Sequence, residues 1–191
     1  PTAFAQITNS AHDFSVYSWS GGEICKPCHT PHFANRSVSP LWNHTLTNAT
    51  YLISGGTQSA ARDMDAVSRL CLSCHDGTVA LDSFGGASGS TYMPGSDTIG
   101  KDLRDDHPIG NQALYPPRPT PVWWSAEFRD ASGLPPEIRL QAWLNPSSSR
   151  PSQPDMVVGC TTCHNAHNRG YPHLLNMANA ASALCMTCHI K

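Results

Sequence analysis

The sequence predicts a mostly irregular chain, largely coil, with a few short helices and minimal β structure. Proline and glycine number 16 and 14 among 191 residues, and only 14% of the residues are charged, so long regular elements have little support. Four copies of one pentapeptide, Cys-x-x-Cys-His, divide the chain and use all eight of its cysteines. We therefore expect a single domain, residues 1–191, organised around these four motifs rather than around a conventional core.

The four motifs lie at residues 25–29, 71–75, 160–164 and 185–189. Cys-x-x-Cys-His is the attachment signature of a c-type haem. Two thiols three residues apart on one helical turn can add to the two vinyl groups of one porphyrin, and the histidine that follows then lies under the iron. The cysteines predicted to bind haem c covalently are Cys25, Cys28, Cys71, Cys74, Cys160, Cys163, Cys185 and Cys188, and the predicted proximal iron ligands are His29, His75, His164 and His189.

Two other classes of site use the same cysteine spacing. Zinc ribbons also carry paired Cys-x-x-Cys motifs, but a ribbon does not need a histidine after every second cysteine. A thioredoxin-like redox motif would need one Cys-x-x-Cys beside a βαβ pattern, and no such pattern is visible. We therefore predict a tetrahaem cytochrome c in which the chain wraps around a chain of four haems.

Ten histidines are present, and six remain after the four motif histidines are counted. This surplus favours ligation of every iron by two histidines, with methionine as the alternative sixth ligand. His32 and His167 each follow a proximal histidine by three residues, so they reach a neighbouring haem more easily than their own. The predicted distal candidates are His12, His32, His44, His107 and His167.

Irons that carry two histidines have no open position for a substrate. We therefore expect an electron carrier and not an enzyme. A multihaem oxidoreductase is the alternative from another class, and it would need a vacant axial position, often with lysine replacing the motif histidine. All four motifs of this chain end in histidine.

Local patterns predict four short elements. The alternation over residues 14–19 predicts a strand. Ser59 is predicted to cap a helix that runs through Arg69 and leads into the second motif. Residues 139–144 predict a short strand or a helical turn, and Asn176 or Asn179 is predicted to cap an alanine-rich helix that carries the fourth motif.

The two halves of the chain show an approximate duplication. Each half has Cys-x-x-Cys-His-x-x-His first and Ser-x-Leu-Cys-x-x-Cys-His second. We therefore predict two related modules, at about 20–76 and 156–191, each of which binds a pair of haems.

Charge and hydropathy limit the partners. The formal charge is −2 and no run of lysine or arginine occurs, which argues against nucleic acid as a partner. No apolar run approaches the ~18 residues of a transmembrane helix, so no transmembrane segment is expected.

The chain begins at Pro1, which suggests that a leader has been removed. Haem is attached outside the cytoplasmic membrane, so the periplasm or a location beyond it is expected.

Several motifs carry a resemblance to a known family. Ser-Ala-His-Asp-Phe-Ser, Cys-Lys-Pro-Cys-His-Thr-Pro-His, Pro-Leu-Trp-Asn-His, Asp-His-Pro-Ile-Gly and the paired motifs near the C-terminus resemble the doubled-CXXCH multihaem cytochromes of metal-reducing bacteria. The chain is similar in particular to the extracellular tetrahaem cytochromes that polymerise into electron-carrying filaments. The region 116–154 has no matching motif.

The resemblance implies a homopolymer of identical subunits at the cell surface or in the extracellular space. It further implies that one haem of each subunit takes its distal histidine from the adjacent subunit, and His32 is the expected intermolecular ligand. Other redox proteins or extracellular electron acceptors would then be the partners of the filament. A soluble electron shuttle in the periplasm or at the surface is the alternative, since it would have the same haem ligands.

Overall fold

The computed structural model describes residues 6–38, 41–116, 124–144, 154–168 and 170–190. Most of this backbone is irregular, which confirms the predicted fold class at this level. Besides short 3-10 turns, the described α-helices are α1 (Ala66–His75), α2 (Trp124–Glu127) and α3 (Cys160–Cys163), and the described strands are β1 (Thr50–Ile53), β2 (Thr57–Ala60), β3 (Gln141–Trp143) and β4 (Asp155–Val157). No helix in this part of the chain is long and apolar enough to cross a membrane.

The chain forms two compact units. The N-terminal unit, Ile7–His107, contains the first two Cys-x-x-Cys-His motifs, and the C-terminal unit, Pro1–Gln6 with Pro108–Lys191, contains the other two. Each unit therefore has its own pair of attachment motifs.

Strands β1 and β2 of the N-terminal unit form an antiparallel hairpin. The turn between them contains Gly55 and Gly56 at φ 79° and 76°, left-handed conformations that glycine adopts without a Cβ penalty. Tyr51 and Ile53 alternate with more exposed residues and point into the core. Ser59 was predicted to cap a helix, and this prediction is wrong, because Ser59 lies in β2 opposite Tyr51.

Helix α1 carries the second motif. It begins at Ala66, where the Asp65 carboxylate accepts a hydrogen bond of 2.9 Å from the backbone amide of Ser68. Such an N-cap acceptor satisfies one of the amides that have no partner within the helix. The helix runs on to His75 and so includes the whole motif, whereas the predicted helix ended at Arg69. The predicted helix exists, but its bounds were wrong.

The residue directly after α1 is a buried carboxylate that connects the helix to the hairpin. Asp76 is 5% exposed, and its Oδ2 accepts hydrogen bonds from the hydroxyls of Tyr51 at 2.7 Å and Thr47 at 2.6 Å. Its Oδ1 accepts from the amide of Thr78 at 2.7 Å. Two donors from the segment that enters the hairpin and one from the turn that follows Asp76 therefore fix the position of the chain next to the motif histidine His75.

The C-terminal unit is built on the short sheet of β3 and β4, in which Ala142 lies opposite Met156. Val157 is fully buried and forms a further antiparallel bridge with Leu114. The strand at residues 141–143 confirms one of the two alternatives predicted for residues 139–144. Two residues separate β4 from α3, so the sheet places the third motif directly.

Two predicted elements are replaced by 3-10 turns. The predicted strand at residues 14–19 consists of the turns Phe14–Val16 and Ser18–Ser20, because the Asp13 carboxylate accepts from the Ser15 amide and caps a turn there. The predicted alanine-rich helix before the fourth motif is also wrong. The turn Ala180–Ser182 contains two residues at positive φ, 52° and 61°, and L-residues do not continue a helix in that conformation.

Candidate functional site

All eight cysteines are free thiols, and the backbone folds each motif into one tight turn. In three motifs the histidine amide donates to the carbonyl of the first cysteine, and in the second motif the same residues form the end of α1. These three hydrogen bonds are His29 to Cys25 at 2.8 Å, His164 to Cys160 at 3.0 Å and His189 to Cys185 at 2.9 Å. The one-turn geometry expected from the spacing is thus present in each motif.

Two motif histidines have one ring nitrogen bound to the backbone. Nδ1 of His75 lies 3.4 Å from the carbonyl oxygen of Asp97, and Nδ1 of His164 lies 2.9 Å from the carbonyl oxygen of His173. A carbonyl only accepts, so Nδ1 donates the hydrogen, and in the neutral imidazole the lone pair is then on Nε2. A metal-ligating histidine is commonly oriented by such a bond from its other nitrogen.

The thiols of the first two motifs are neighbours. Burial, and then the charge of Cys25, raises the pKa of Cys28 to about 11. Burial raises the pKa of Cys74 to about 12, and the next cause is the charge of Cys28. Both groups are therefore neutral thiols at pH 7, unlike catalytic cysteines, whose pKa is lowered.

The last two motifs are neighbours in the same way. Burial raises the pKa of Cys163 to about 11, and the next causes are the charges of Cys188 and Cys185 in the fourth motif.

A structural zinc site would need four ligands at one place. The described residues, which include every cysteine and histidine of the chain, bring no three metal-binding side chains together.

The predicted distal histidines differ in their surroundings. The His12 ring lies 6.1 Å from the His75 ring, centroid to centroid, at an interplanar angle of 82°. His44 is 3% exposed, with Nε2 at 3.0 Å from the carbonyl of Ala80 and at 3.6 Å from Sγ of Cys74. The other three distal candidates are exposed, as is the remaining histidine: His32, His107, His167 and His173.

Three motifs share a backbone arrangement that sequence reasoning missed. In each, the motif histidine forms an antiparallel bridge with the central residue of a tripeptide, which we call a strap. The residue after the histidine donates to the first strap residue, and the third strap residue donates to the carbonyl of the second cysteine, at 2.7–2.9 Å. The straps are residues 41–43 for the first motif, 174–176 for the third and 127–129 for the fourth.

Two of the straps have a sequence signal that could have been found. Leu41-Trp-Asn43 and Leu174-Leu-Asn176 each follow a Cys-x-x-Cys-His-x-x-His motif and share leucine first and asparagine third. Both leucines have positive φ, 51° and 56°. The third strap, Glu127-Phe-Arg129, lies far before its motif and shares neither residue.

A covalently attached haem fits these groups. Paired thiols are available for the two thioether bonds, and Nε2 of His75 and of His164 is available to an iron. Trp42 is 8% exposed, and its buried Nε1 has no hydrogen-bond partner among the described groups. A buried donor without an acceptor costs about 1–3 kcal/mol, and a propionate of a haem on the adjacent motif would supply that acceptor.

Comparison with known families agrees with this assignment. Residues 154–191 match the family described as the doubled CXXCH motif. The match covers the third and fourth motifs of the chain and supports a multihaem c-type cytochrome with covalently bound haem, a class whose general role is electron transfer. No curated protein matches the chain.

Proposed function

We propose that this protein carries electrons over long distances through four covalently bound c-type haems, each ligated by two histidines. The observation that supports this proposal is the four-fold recurrence of one turn that holds two free thiols and a histidine. Haem iron would supply the one-electron chemistry, and the chain would supply the attachment and the axial ligands.

His12 is our proposed distal ligand for the haem of the second motif. Two imidazoles on opposite sides of one metal, each with a nitrogen–metal distance of about 2.0 Å, have ring centroids roughly 6 Å apart. The His12 and His75 centroids are 6.1 Å apart. Nδ1 of His75 is bound to the Asp97 carbonyl, so Nε2 is the nitrogen that would bind an iron. His32, His44, His107 and His167 are the candidates for the other three irons.

Two histidines on every iron favour an electron relay over an enzyme, because no axial position is open to a substrate. Wild-type protein should then give only low-spin ferric signals in electron paramagnetic resonance. If the fully loaded protein instead gives a high-spin signal that corresponds to one haem per chain, a multihaem oxidoreductase is favoured.

We further propose that identical subunits polymerise into an extracellular filament in which His32 ligates a haem of the adjacent subunit. His32 is exposed, and the Phe33 side chain beside it is fully exposed, at 105%. Phe33 also has a left-handed φ of 59°. A large apolar side chain held outward next to a free imidazole is suited to a contact with a second copy.

Electron microscopy of the purified holoprotein tests the assembly. We expect fibres from the wild type and none from His32→Ala, together with a new high-spin signal from one haem. His173→Asn is the matched control, because it removes another exposed histidine and asparagine tolerates the positive φ of 57° at that position. If wild-type protein sediments as a monomer at high concentration with four low-spin haems, the filament proposal fails and the soluble shuttle remains.

A further inference from the structure

Each strap adds a side-chain hydrogen bond to its motif, and the acceptor is the same in all three cases. The third strap residue donates to the carbonyl of the residue that follows the first cysteine. The bonds are Asn43 Nδ2 to Lys26 at 2.6 Å, Asn176 Nδ2 to Thr161 at 3.1 Å and Arg129 Nε to Met186 at 2.9 Å.

The second motif has the same carbonyl but a different donor. That carbonyl belongs to Leu72, and it accepts from the backbone amide of Asp76 at 3.0 Å, because α1 has regular helical geometry up to its end. In the other motifs the chain leaves the turn at the histidine, as His164 shows with φ −113° and ψ 151°. No backbone amide then returns to the carbonyl, and the last carbonyls of a helical turn need an outside donor.

We propose that Asn43, Asn176 and Arg129 are positioning residues of three haem sites. Each strap fixes its motif on both sides of the proximal histidine through backbone bonds, and the side-chain donor fixes the turn between the two cysteines. The strap would thereby set the orientation of the proximal imidazole toward an iron bound at the motif. This inference rests on the haem attachment in the proposed function and not on filament assembly.

Asn176→Asp tests the donor with little change in shape. An aspartate at this position places an oxygen opposite the carbonyls of Thr161 and Thr162, which lie 3.1 Å and 3.0 Å from Nδ2. Asn168→Asp is the matched control, because it adds the same charge in the same unit. Its Oδ1 accepts from the Gly170 amide and aspartate keeps that bond.

The readout is the set of g values of the low-spin ferric haems in the holoprotein, with the haem number taken from the intact mass. We expect Asn176→Asp to shift the g values of one haem or to leave a protein with three haems. Asn168→Asp should keep the wild-type spectrum and four haems. Four haems with wild-type g values in Asn176→Asp would overturn the inference.

Arg129 gives a second test that does not depend on the asparagine variants. Arg129→Lys keeps a donor for the Met186 carbonyl, whereas Arg129→Met fills the side chain out to the position of Nε and removes the donor. We expect the wild-type spectrum from the lysine variant and an altered signal from the methionine variant. Identical spectra from these two variants would refute the role of Arg129, and wild-type protein without haem would refute the proposed function itself.

Discussion

Replacing Tyr51 by phenylalanine should cost the N-terminal unit about 1.5–3 kcal/mol of unfolding free energy, or roughly ten- to a hundredfold in its folding equilibrium. The Tyr51 side chain is fully buried, and its hydroxyl donates to Oδ2 of Asp76 at 2.7 Å. Phenylalanine keeps the ring and loses only this bond to a carboxylate. Asp76 keeps its bonds from Thr47 and Thr78, so the cost should stay within the range for one charged hydrogen bond.

Guanidinium unfolding of the haem-loaded protein, followed by circular dichroism, measures this cost. Tyr92→Phe is the control, because Tyr92 is 56% exposed and the same atom is removed at the surface. We expect the control to stay within about 0.5 kcal/mol of the wild type.

The same hydroxyl predicts a dependence on alkaline pH. Burial, as the largest cause, raises the pKa of Tyr51 above its usual value near 10. The folded state therefore holds this proton more tightly than the unfolded state. The resulting stability is complete below about pH 10 and is lost as the pH rises further. The difference in unfolding free energy between the wild type and Tyr51→Phe should therefore decrease above that pH. Equal unfolding free energies of Tyr51→Phe and Tyr92→Phe at pH 7 would refute the role of the Tyr51 hydroxyl.

Two further substitutions test the site and the helix that carries it. His12→Ala should convert one of four ferric haems to high spin, which electron paramagnetic resonance would record. The control His173→Asn should leave all four haems low-spin. Four low-spin signals in His12→Ala would exclude His12 as a ligand. Asp65→Ala should lower the unfolding free energy by about 1 kcal/mol, because it removes the N-cap of α1. Asp130→Ala removes the cap of a surface 3-10 turn and should lower the unfolding free energy by less in the same guanidinium experiment. An equal loss of unfolding free energy in the two variants would contradict the capping argument.

The sequence predicted the presence of α1 but could not predict where it begins. Ser59 and Asp65 are both good N-cap residues, and the apolar positions that follow suit a helix from either one. The pairing of β2 with β1 decides between them, because it places Ser59 in a strand. Likewise, residues 14–19 alternate as a strand does, but the carboxylate of Asp13 closes a turn at Phe14–Val16 instead. Local side-chain bonds and non-local pairing prevailed over periodicity in these two segments.

The motif turns were predictable because five consecutive residues define them. The straps were not, because their distance along the chain varies: Asn43 is 17 positions from Lys26, Asn176 is 15 from Thr161, and Arg129 is 57 from Met186. In one case the strap comes before its motif. The three straps have the same hydrogen bonds, but only the straps at residues 41–43 and 174–176 also share residue types.

The straps also show how far the two modules correspond. The residue after the strap asparagine is His44 in the N-terminal unit and Met177 in the C-terminal unit. His44 is buried beside Sγ of Cys74, where it is close to a haem-attachment site. The C-terminal unit has no histidine at the matching position, so its distal ligands cannot be read from the N-terminal unit by analogy. We therefore expect the haem pairs to differ in their ligand arrangement, although their attachment turns are built alike.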